Sequence, residues 1–509
     1  MLLATLVDTS RRIAETSRRL EKIDLLAGLL RQAAPDEIET VVAFLSGRTR
    51  QLRLGVGWAT LRDAATTPAD QPALEVREVD RIFETIAATE GPGSDRVKRD
   101  LLAALWRRAT ASEQAFFPAL LLGELRQGAL EGVTLEALAK AFDASPERVR
   151  RAAMLAGDTA RVARLLREQG PSGLDACEIR LFQPVQPMLA QTAEDVGAAL
   201  ADLGEAALEY KFDGARVQVH RSGDEVAVFS RNLNDVTHAV PEIVEAVRVL
   251  PGHDLILEGE VLSVTAQGRP QPFQVTMRRF GRKLDLERMR AELPLTPFWF
   301  DLLYLNGQPL IDEPQSRRFG ALTEITPVES VVPHIRTADP QAASNFLGSA
   351  LDRGHEGIMA KATAAGYAAG ARGQSWLKVK KVHTLDLVVL AAEWGHGRRK
   401  GWLSNLHLGA RDTENGGFAM LGKTFKGLTD EMLAWQTEQL LKLEIARDSY
   451  TVHVEPKLVV EIAFSDLQVS PRYASGLALR FARVKRYRPD KPAEAADTFQ
   501  TVQALAAAG

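Results

Sequence analysis

The hydrophobic rhythm of the chain changes about a third of the way along. Up to residue 170, apolar positions recur at helical spacing. In PDEIETVVAFLSG (35–47), Ile38, Val41, Val42 and Leu45 fall on one helical face, and Pro35 with the acids after it marks a start. The pattern returns in TLEALAKAFDASPERVRRAAMLAGD (134–158), where Ser145 can cap, Pro146 suits the first helical turn and Gly157 can end the helix. GPSGLDACEIRLFQPVQPMLAQ (170–191) then interrupts with Pro171, Pro184 and Pro187 and reads as a linker.

From about residue 206, alternation at period two takes over. ARVQVHR, EVAVFSR, LILEGEVLSV, FWFDLLYL, WLKVKK and LDLVVLAA read as strands with helices between them. NLHLGAR, GFAMLGKTF and LVVEIAFSDLQ continue the series, broken by the helical TDEMLAWQTEQLLKL. The order predicts a multidomain chain: an all-α domain over 1–180, an α+β domain over 185–382 and a small β-barrel over 383–509. A length of 509 residues fits two to four domains.

Composition alters this picture little. Apolar residues make up 45% and charged residues 25%, ordinary values for a globular protein. The one cysteine, Cys177, excludes an intramolecular disulfide and a multi-cysteine zinc site, and suits a reducing compartment. Asp8 breaks the first apolar run before a signal-peptide core develops, and no run approaches membrane-spanning length. A cytoplasmic location is expected.

The net charge of −3 announces no nucleic-acid partner. Locally the balance differs. LRFARVKRYRPDK (479–491) sets Arg480, Arg483, Lys485, Arg486, Arg488 and Lys491 against a single acid of its own, Asp490. Such a run is either a solvated basic face or a phosphodiester contact. GELRQGALEG (123–132) brackets Arg126 and Gln127 between Gly123 and Gly128, which fits a helix-to-helix turn as well as a phosphate contact.

The most demanding stretch is EYKFDGARVQVH (209–220). On a strand, Glu209, Lys211 and Asp213 share one face while Tyr210 and Phe212 take the other, and Gly214 permits a tight turn or a close approach. A free lysine has a pKa of about 10.4, so using it as a nucleophile near neutrality costs on the order of 4 kcal/mol. Adjacent carboxylates raise that cost, whereas a neighbouring cation lowers it. The arrangement makes sense if a metal ion and cationic side chains gather around the amine. Downstream segments offer such groups: Arg216, Arg231 in FSRN, Glu258 and Glu260 in LEGEV, Phe300 in FWFDLLYLNG, Glu356 and Lys361 in HEGIMAK, and Lys378 with Lys380 in WLKVKK. Singly, each also reads as a strand-end charge or a core ring. GFAMLGKT (417–424) matches the phosphate-loop pattern G-x-x-x-x-G-K-[ST], but its spacer is itself an apolar strand-like run, so a strand of the small β domain is expected there.

In their order and spacing, EYKFDGAR, FSRN, LEGEV, FDLLYLNG, EGIMAK, WLKVKK and LRFARVKRYRPDK resemble the signature segments of nucleotidyltransferases that carry a nucleotide on a lysine. The closest likeness is to ATP-dependent DNA ligases of the bacterial type with an added N-terminal DNA-binding domain. PFQVTMRR (272–279) shares in it, and the likeness runs from about residue 120 to the end. The resemblance implies a helical DNA-binding domain, an adenylation domain and a C-terminal OB-fold. It makes Lys211 the amine that takes AMP from ATP, with Glu209 on the adenine edge and Phe300 stacked on the base. Arg216 and Arg231 would hold ribose and phosphate, Glu260 the ribose or a metal, and Glu356 the divalent ion. Arg372 in ARGQSW would bind the nucleotide, Lys378 and Lys380 the α-phosphate, and Arg480 the pyrophosphate. Asp213 would support the turn.

DNA contacts would come from Arg126, Gly128, Arg483 and Lys485. The implied metal is Mg²⁺, with Mn²⁺ an alternative because oxygen ligands separate the two weakly. The implied partner is nicked duplex DNA, enclosed by a monomer that closes as a clamp near the nucleoid. The role could lie in replication, repair or recombination. Capping guanylyltransferases and RNA ligases share the lysine, but about 180 largely helical residues precede it here, and the last two segments are ligase-like. The four-cysteine finger of NAD-dependent ligases cannot be built from one cysteine. A non-catalytic DNA clamp would not need the lysine, the glutamates and the lysine pair together.

Overall fold

The computed structural model describes residues 1–51, 54–64, 66–125, 131–265, 268–280, 286–368, 375–380 and 383–508. Arg126, Gly128 and Arg372 lie outside the described residues. The chain forms two compact units, Met1–Val379 and Lys380–Gly509. The boundary expected near residue 180 falls within the first of them.

The first unit opens with helices whose apolar faces meet in one core. The helix Ile38–Leu45 buries Ile38, Val41, Val42 and Leu45, the positions that its spacing singled out. The helix Pro146–Ala156 starts after Ser145, carries its proline in the first turn and stops at Gly157. Gly157 has φ +65°, and a Cβ there would lie 2.5 Å from the Pro184 carbonyl oxygen, so both conformation and space call for glycine. Aromatic rings link the helices: Phe44 to Phe83 at 5.9 Å, Phe83 to Phe117 at 6.3 Å and Trp106 to Phe117 at 4.7 Å between centroids.

Ten strands follow among the described residues of this unit. They are β1 (Gln191–Thr192), β2 (Ala206–Lys211), β3 (Ala215–Ser222), β4 (Glu225–Ser230) and β5 (Asp254–Ser263), then β6 (Leu295–Leu305), β7 (Gln308–Pro309), β8 (His334–Thr337), β9 (Gly357–Ala362) and β10 (Trp376–Lys380). They form two sheets, ordered β1-β10-β9-β2-β8 and β4-β3-β5-β6-β7. One face of the first sheet packs Leu208, Tyr210, Phe212, Ile358, Leu377 and Val379 with residues of the helices Val196–Leu203 and Pro340–Asp352. One face of the second packs Val217, Val219, Leu255 and Leu257 with residues of the helices Pro241–Arg248 and Gln315–Ile325. The opposite faces of both sheets carry polar side chains.

The proline-rich stretch expected as a linker is packed onto the first unit, with Val185 and Met188 buried. Gln186 donates its backbone N–H to the Met154 carbonyl at 3.0 Å. Phe182 N–H donates to His220 Nδ1 at 3.0 Å. The Gln218 amide accepts from Val185 N–H at 2.7 Å and donates to the Val185 carbonyl at 3.0 Å. Backbone groups that a strand would satisfy by a ladder are satisfied here by side chains of β3.

The second unit is strand-rich, with β11 (His383–Trp394), β12 (Leu403–Arg411), β13 (Phe418–Thr424), β14 (Glu444–Arg447), β15 (Thr451–Val454), β16 (Val459–Phe464), β17 (Asp466–Val469), β18 (Leu477–Arg480) and β19 (Arg483–Tyr487). The long β11 pairs with β12, with β16 over His383–Val388 and with β15 over Ala391–Glu393. Buried Leu433 and Leu440 of the helix Asp430–Lys442 join this unit's core. LVVEIAFSDLQ divides into two strands, because β16 pairs with β11 and β19 whereas β17 pairs with β18. GFAMLGKT is β13, as its apolar spacer indicates, and Lys423 ion-pairs with Glu393.

Candidate active site

The polar faces of the two sheets in the first unit meet, and the sequence-singled residues of strands β2, β3, β5, β6 and β9 converge there. Strand alternation explains the selection. On β2, Tyr210 and Phe212 enter the core, where Tyr210 lies 4.8 Å from the Phe346 ring and Phe212 4.6 Å from Phe298, so Glu209 and Lys211 face the other way.

Lys211 ends β2 opposite Gly357 of β9. Its ammonium forms an ion pair with Glu356 and donates to the Phe212 carbonyl at 3.3 Å. Both partners remain partly open, at 19% and 16% side-chain exposure, so a ligand can reach them. After Lys211 the backbone passes close to β5: a Cβ on Gly214 would lie 2.6 Å from the Val261 carbonyl oxygen and 3.0 Å from Glu260 Cγ. Gly214 thus serves close approach, and its N–H donates to the Glu260 carboxylate.

Burial pushes the Glu260 carboxyl up to about 7, while the charges of Lys211 and Arg216 pull it back. Glu356 is thus paired with the amine and Glu260 feels its charge, and both offer oxygen chemistry that fits a hard divalent cation. Among the described residues, no three carboxylate, imidazole or thiol groups cluster as a complete metal cage. A magnesium-like ion held by one or two carboxylates and completed by substrate phosphates needs no such cage.

Glu209 lies deeper. It forms a 2.6 Å ion pair with Lys361, the two side chains being 3% and 1% exposed. Lys361 Nζ lies 4.6 Å from the Phe300 ring centroid and 4.3 Å from that of Trp376, and donates to the Phe300 carbonyl at 3.3 Å. The second Glu209 oxygen, Oε1, is buried without a hydrogen-bond partner. Burial pushes this carboxyl up to about 7 against the pull of Lys361.

Arg216 is held on four sides. It donates to the Met188 carbonyl at 2.6 Å and to Glu258 at 2.7 Å, and lies 5.3 Å from the Phe300 centroid and 5.5 Å from that of Trp376. Glu258 also accepts from the Tyr367 hydroxyl at 2.9 Å and from Gln218 Nε2 at 3.3 Å. Met188 N–H donates to the Tyr367 oxygen at 3.0 Å. Glu258, on the same face as Glu260, is thus fully engaged as an anchor. Phe300 is half-buried between these cations, edge-on to Trp376.

Lys378 and Lys380 follow Trp376 on one face of β10, with Leu377 and Val379 turned into the core. Arg231 lies just beyond β4 with an exposed side chain that has no ion-pair partner among the described residues. In the second unit, Arg480 lies 3.9 Å from Asp466 and 5.5 Å from the Phe481 ring. Lys485 and Arg486 share Glu461 at 3.3 and 2.7 Å, and Arg488 and Lys491 share Asp386 at 2.9 and 2.7 Å. The basic run that faces one acid in sequence therefore meets three more in the fold. Arg483 is exposed and has no such partner among the described residues.

Tyr367, Gln218 and Trp376 are site residues that the sequence reading passed over, and Lys361 was noted without a role. For Lys361 a signal existed: a lysine at an alternating position of the apolar run GIMAKA. Tyr367 lies outside any strand, and nothing in its neighbourhood pointed to the buried Glu258.

Comparison with known proteins bears on the whole chain. Residues 187–380 match the family model described as ATP dependent DNA ligase domain, 399–491 the ATP dependent DNA ligase C terminal region, and 62–139 the DNA ligase N terminus. A protein of Anaeromyxobacter sp. (strain Fw109-5) named probable DNA ligase is 58% identical over 99% of this chain and 98% of its own length. Relatives of the same name from Sorangium cellulosum (strain So ce56) and Mycobacterium marinum (strain ATCC BAA-535 / M) are 54% and 50% identical, each over 99% of this chain and over 95% and 100% of their own lengths. The solved structure described as "Pmar-Lig_PreS3" shares the fold, with a TM-score of 0.62 at 19% identity over 95% of this chain and 99% of its own. The chain belongs to the ATP-dependent DNA ligase family.

Proposed function

We propose that the protein seals nicks in duplex DNA through an adenylate carried on Lys211. The observation that carries this reading is the lysine itself: a partly open amine at the end of β2, ion-paired with Glu356, whose charge acts together with that of Arg216 on the buried Glu260. Its Nζ attacks the α-phosphorus of ATP as the bond to pyrophosphate breaks, leaving AMP on the lysine. The adenylate passes to a DNA 5′-phosphate, and the neighbouring 3′-hydroxyl then displaces AMP and forms the phosphodiester.

Negative charge grows on the α-phosphoryl oxygens in the first step, and Lys378 and Lys380 are the residues proposed to meet it. Arg216 and Arg231 hold ribose and phosphate, Phe300 stacks on the base, Arg372 adds a nucleotide contact and Arg480 orients the pyrophosphate. The unpartnered Oε1 of Glu209 fits the amino group of adenine. Mg²⁺, or Mn²⁺, would be held by Glu356 and Glu260 and would neutralise phosphate charge.

The same reading divides the chain into a DNA-binding region over 1–180, an adenylation domain over 185–382 and an OB-fold over 383–509. A monomer would close these around nicked DNA in the cytoplasm, at the nucleoid, with Arg126, Gly128, Arg483 and Lys485 on phosphates.

The test is incubation with α-labelled ATP or GTP, followed by intact mass. Transfer from ATP alone, as one AMP removable by pyrophosphate and absent from Lys211→Ala, is expected. Sealing at the parental rate by a folded Lys211→Ala variant would end the proposal.

A further inference from the structure

Two charged groups of the cleft have no place in phosphoryl chemistry, yet both are buried, at 3% and 1% side-chain exposure. Glu209 and Lys361 face each other at 2.6 Å, and Lys361 is wedged against the rings of Phe300 and Trp376. A fully buried lysine that touches no phosphate site is an expensive choice unless its charge has work at that spot.

We propose that Lys361 sets the choice of purine by keeping Glu209 an ionised, acceptor-only group. The inference rests on the reading that Glu209 meets the base edge. Adenine presents an amino donor at its six position and guanine a carbonyl acceptor. A carboxylate accepts from the first and repels the second, whereas a protonated carboxyl can donate to the second. Lys361 engages one Glu209 oxygen and leaves Oε1 free of any partner, which orients the acceptor as well as charging it.

The remaining charged surroundings leave this task to Lys361. Asp301 opposes ionisation of Glu209, and Arg318 assists it but is committed to Asp301 by bonds of 2.8 and 2.9 Å. His334 stands opposite Glu209 on β8 with an exposed ring packed on Phe319. Burial already pushes the Glu209 carboxyl up to about 7 with Lys361 in place, so losing that cation pushes it further.

Transfer of label from ATP and from GTP onto the full chain is to be measured between pH 6 and 9 and expressed as a ratio, in which the titration of the attacking amine cancels. In the parent, the preference for ATP should narrow as pH falls through about 7. In Lys361→Met the preference should drop by about tenfold or more at pH 7.5 and recover only at higher pH. Lys361→Arg should retain it.

A flat parental ratio across the range overturns the proposal without any variant. So does a Lys361→Met protein that loses both nucleotides in parallel, as a merely structural lysine would. Glu209→Gln separates the two layers. An unchanged ratio in that variant sinks the base contact itself, while a changed ratio there with an unchanged one in Lys361→Met sinks only the role of the lysine.

Discussion

Lys211 and Glu356 are bound to each other twice, through an ion pair of their side chains and through a 3.2 Å hydrogen bond from Glu356 N–H to the Lys211 carbonyl. The backbone bond fixes where the carboxylate stands, and the side-chain pair keeps the amine occupied. An amine engaged in this way cannot attack phosphorus, so the proposed reaction requires Glu356 to let go of Lys211 when ATP binds. Under the proposed function, Glu356 would do so by turning its oxygens to the divalent ion that it would hold.

Glu356→Gln should therefore slow lysyl-adenylate formation by on the order of 100-fold. What remains should lose its dependence on magnesium concentration. Rapid-quench measurement of label transfer across a magnesium titration checks both.

His220 predicts an acid-sensitive hold on the 182–188 stretch. Its ring is fully buried, accepting from Phe182 N–H and paired with Gln218 Oε1 at 2.9 Å, and burial lowers its pKa to about 3. The unfolded chain takes up a proton below about pH 6.5 and the folded chain does not, so stability falls as pH drops through that value. Between pH 7 and 5 the loss amounts to about 2 kcal/mol. Thermal midpoints at the two pH values should converge more closely in His220→Gln than in the parent.

Tyr367→Phe should lower the thermal midpoint, because Glu258 loses a buried donor and Met188 N–H loses its acceptor, a cost of about 1–3 kcal/mol. Arg216 shares Glu258 and Met188 with that hydroxyl. The KM for ATP in self-adenylation should therefore rise several-fold as well, which initial rates over an ATP series would detect.

Within the basic run, an unengaged cation should count for more than a paired one. Arg483→Ala should weaken nicked-DNA binding and reduce the salt slope by about one, while Lys485→Ala, which removes a cation already paired with Glu461, should do less. Arg126→Ala should weaken the same binding and leave self-adenylation intact. Fluorescence anisotropy with a nicked duplex at several salt concentrations separates these cases.

Alternation made much of the site legible, because a period of two commits every second side chain to one face. Lys211 with Glu209, and Glu258 with Glu260, could be grouped without coordinates. Partnership across strands could not, since it depends on register: nothing local ties Lys361 to Glu209 or Asp386 to Arg488. Nor does sequence tell which arginines serve the backbone. Arg279, in the family-like PFQVTMRR, donates to the Ala239 and Leu293 carbonyls and pairs with Glu242, and Arg221 donates to the carbonyls of Val247, Arg248 and Leu250 at a helix end. The three prolines of 170–191 signalled irregular backbone correctly but said nothing of its burial, because its hydrogen bonds come from β3, some 30 residues later.

That irregular stretch has a practical bearing. Phe182, Val185 and Met188 are fastened to His220, Gln218, Tyr367 and Arg216, and Gln186 to Met154. The stretch thus ties the helices before it to the strands after it within one compact unit. Trimming the chain by cutting at Met188 would strip Gln218 of its two bonds to Val185 and His220 of its bond to Phe182, right beside Arg216.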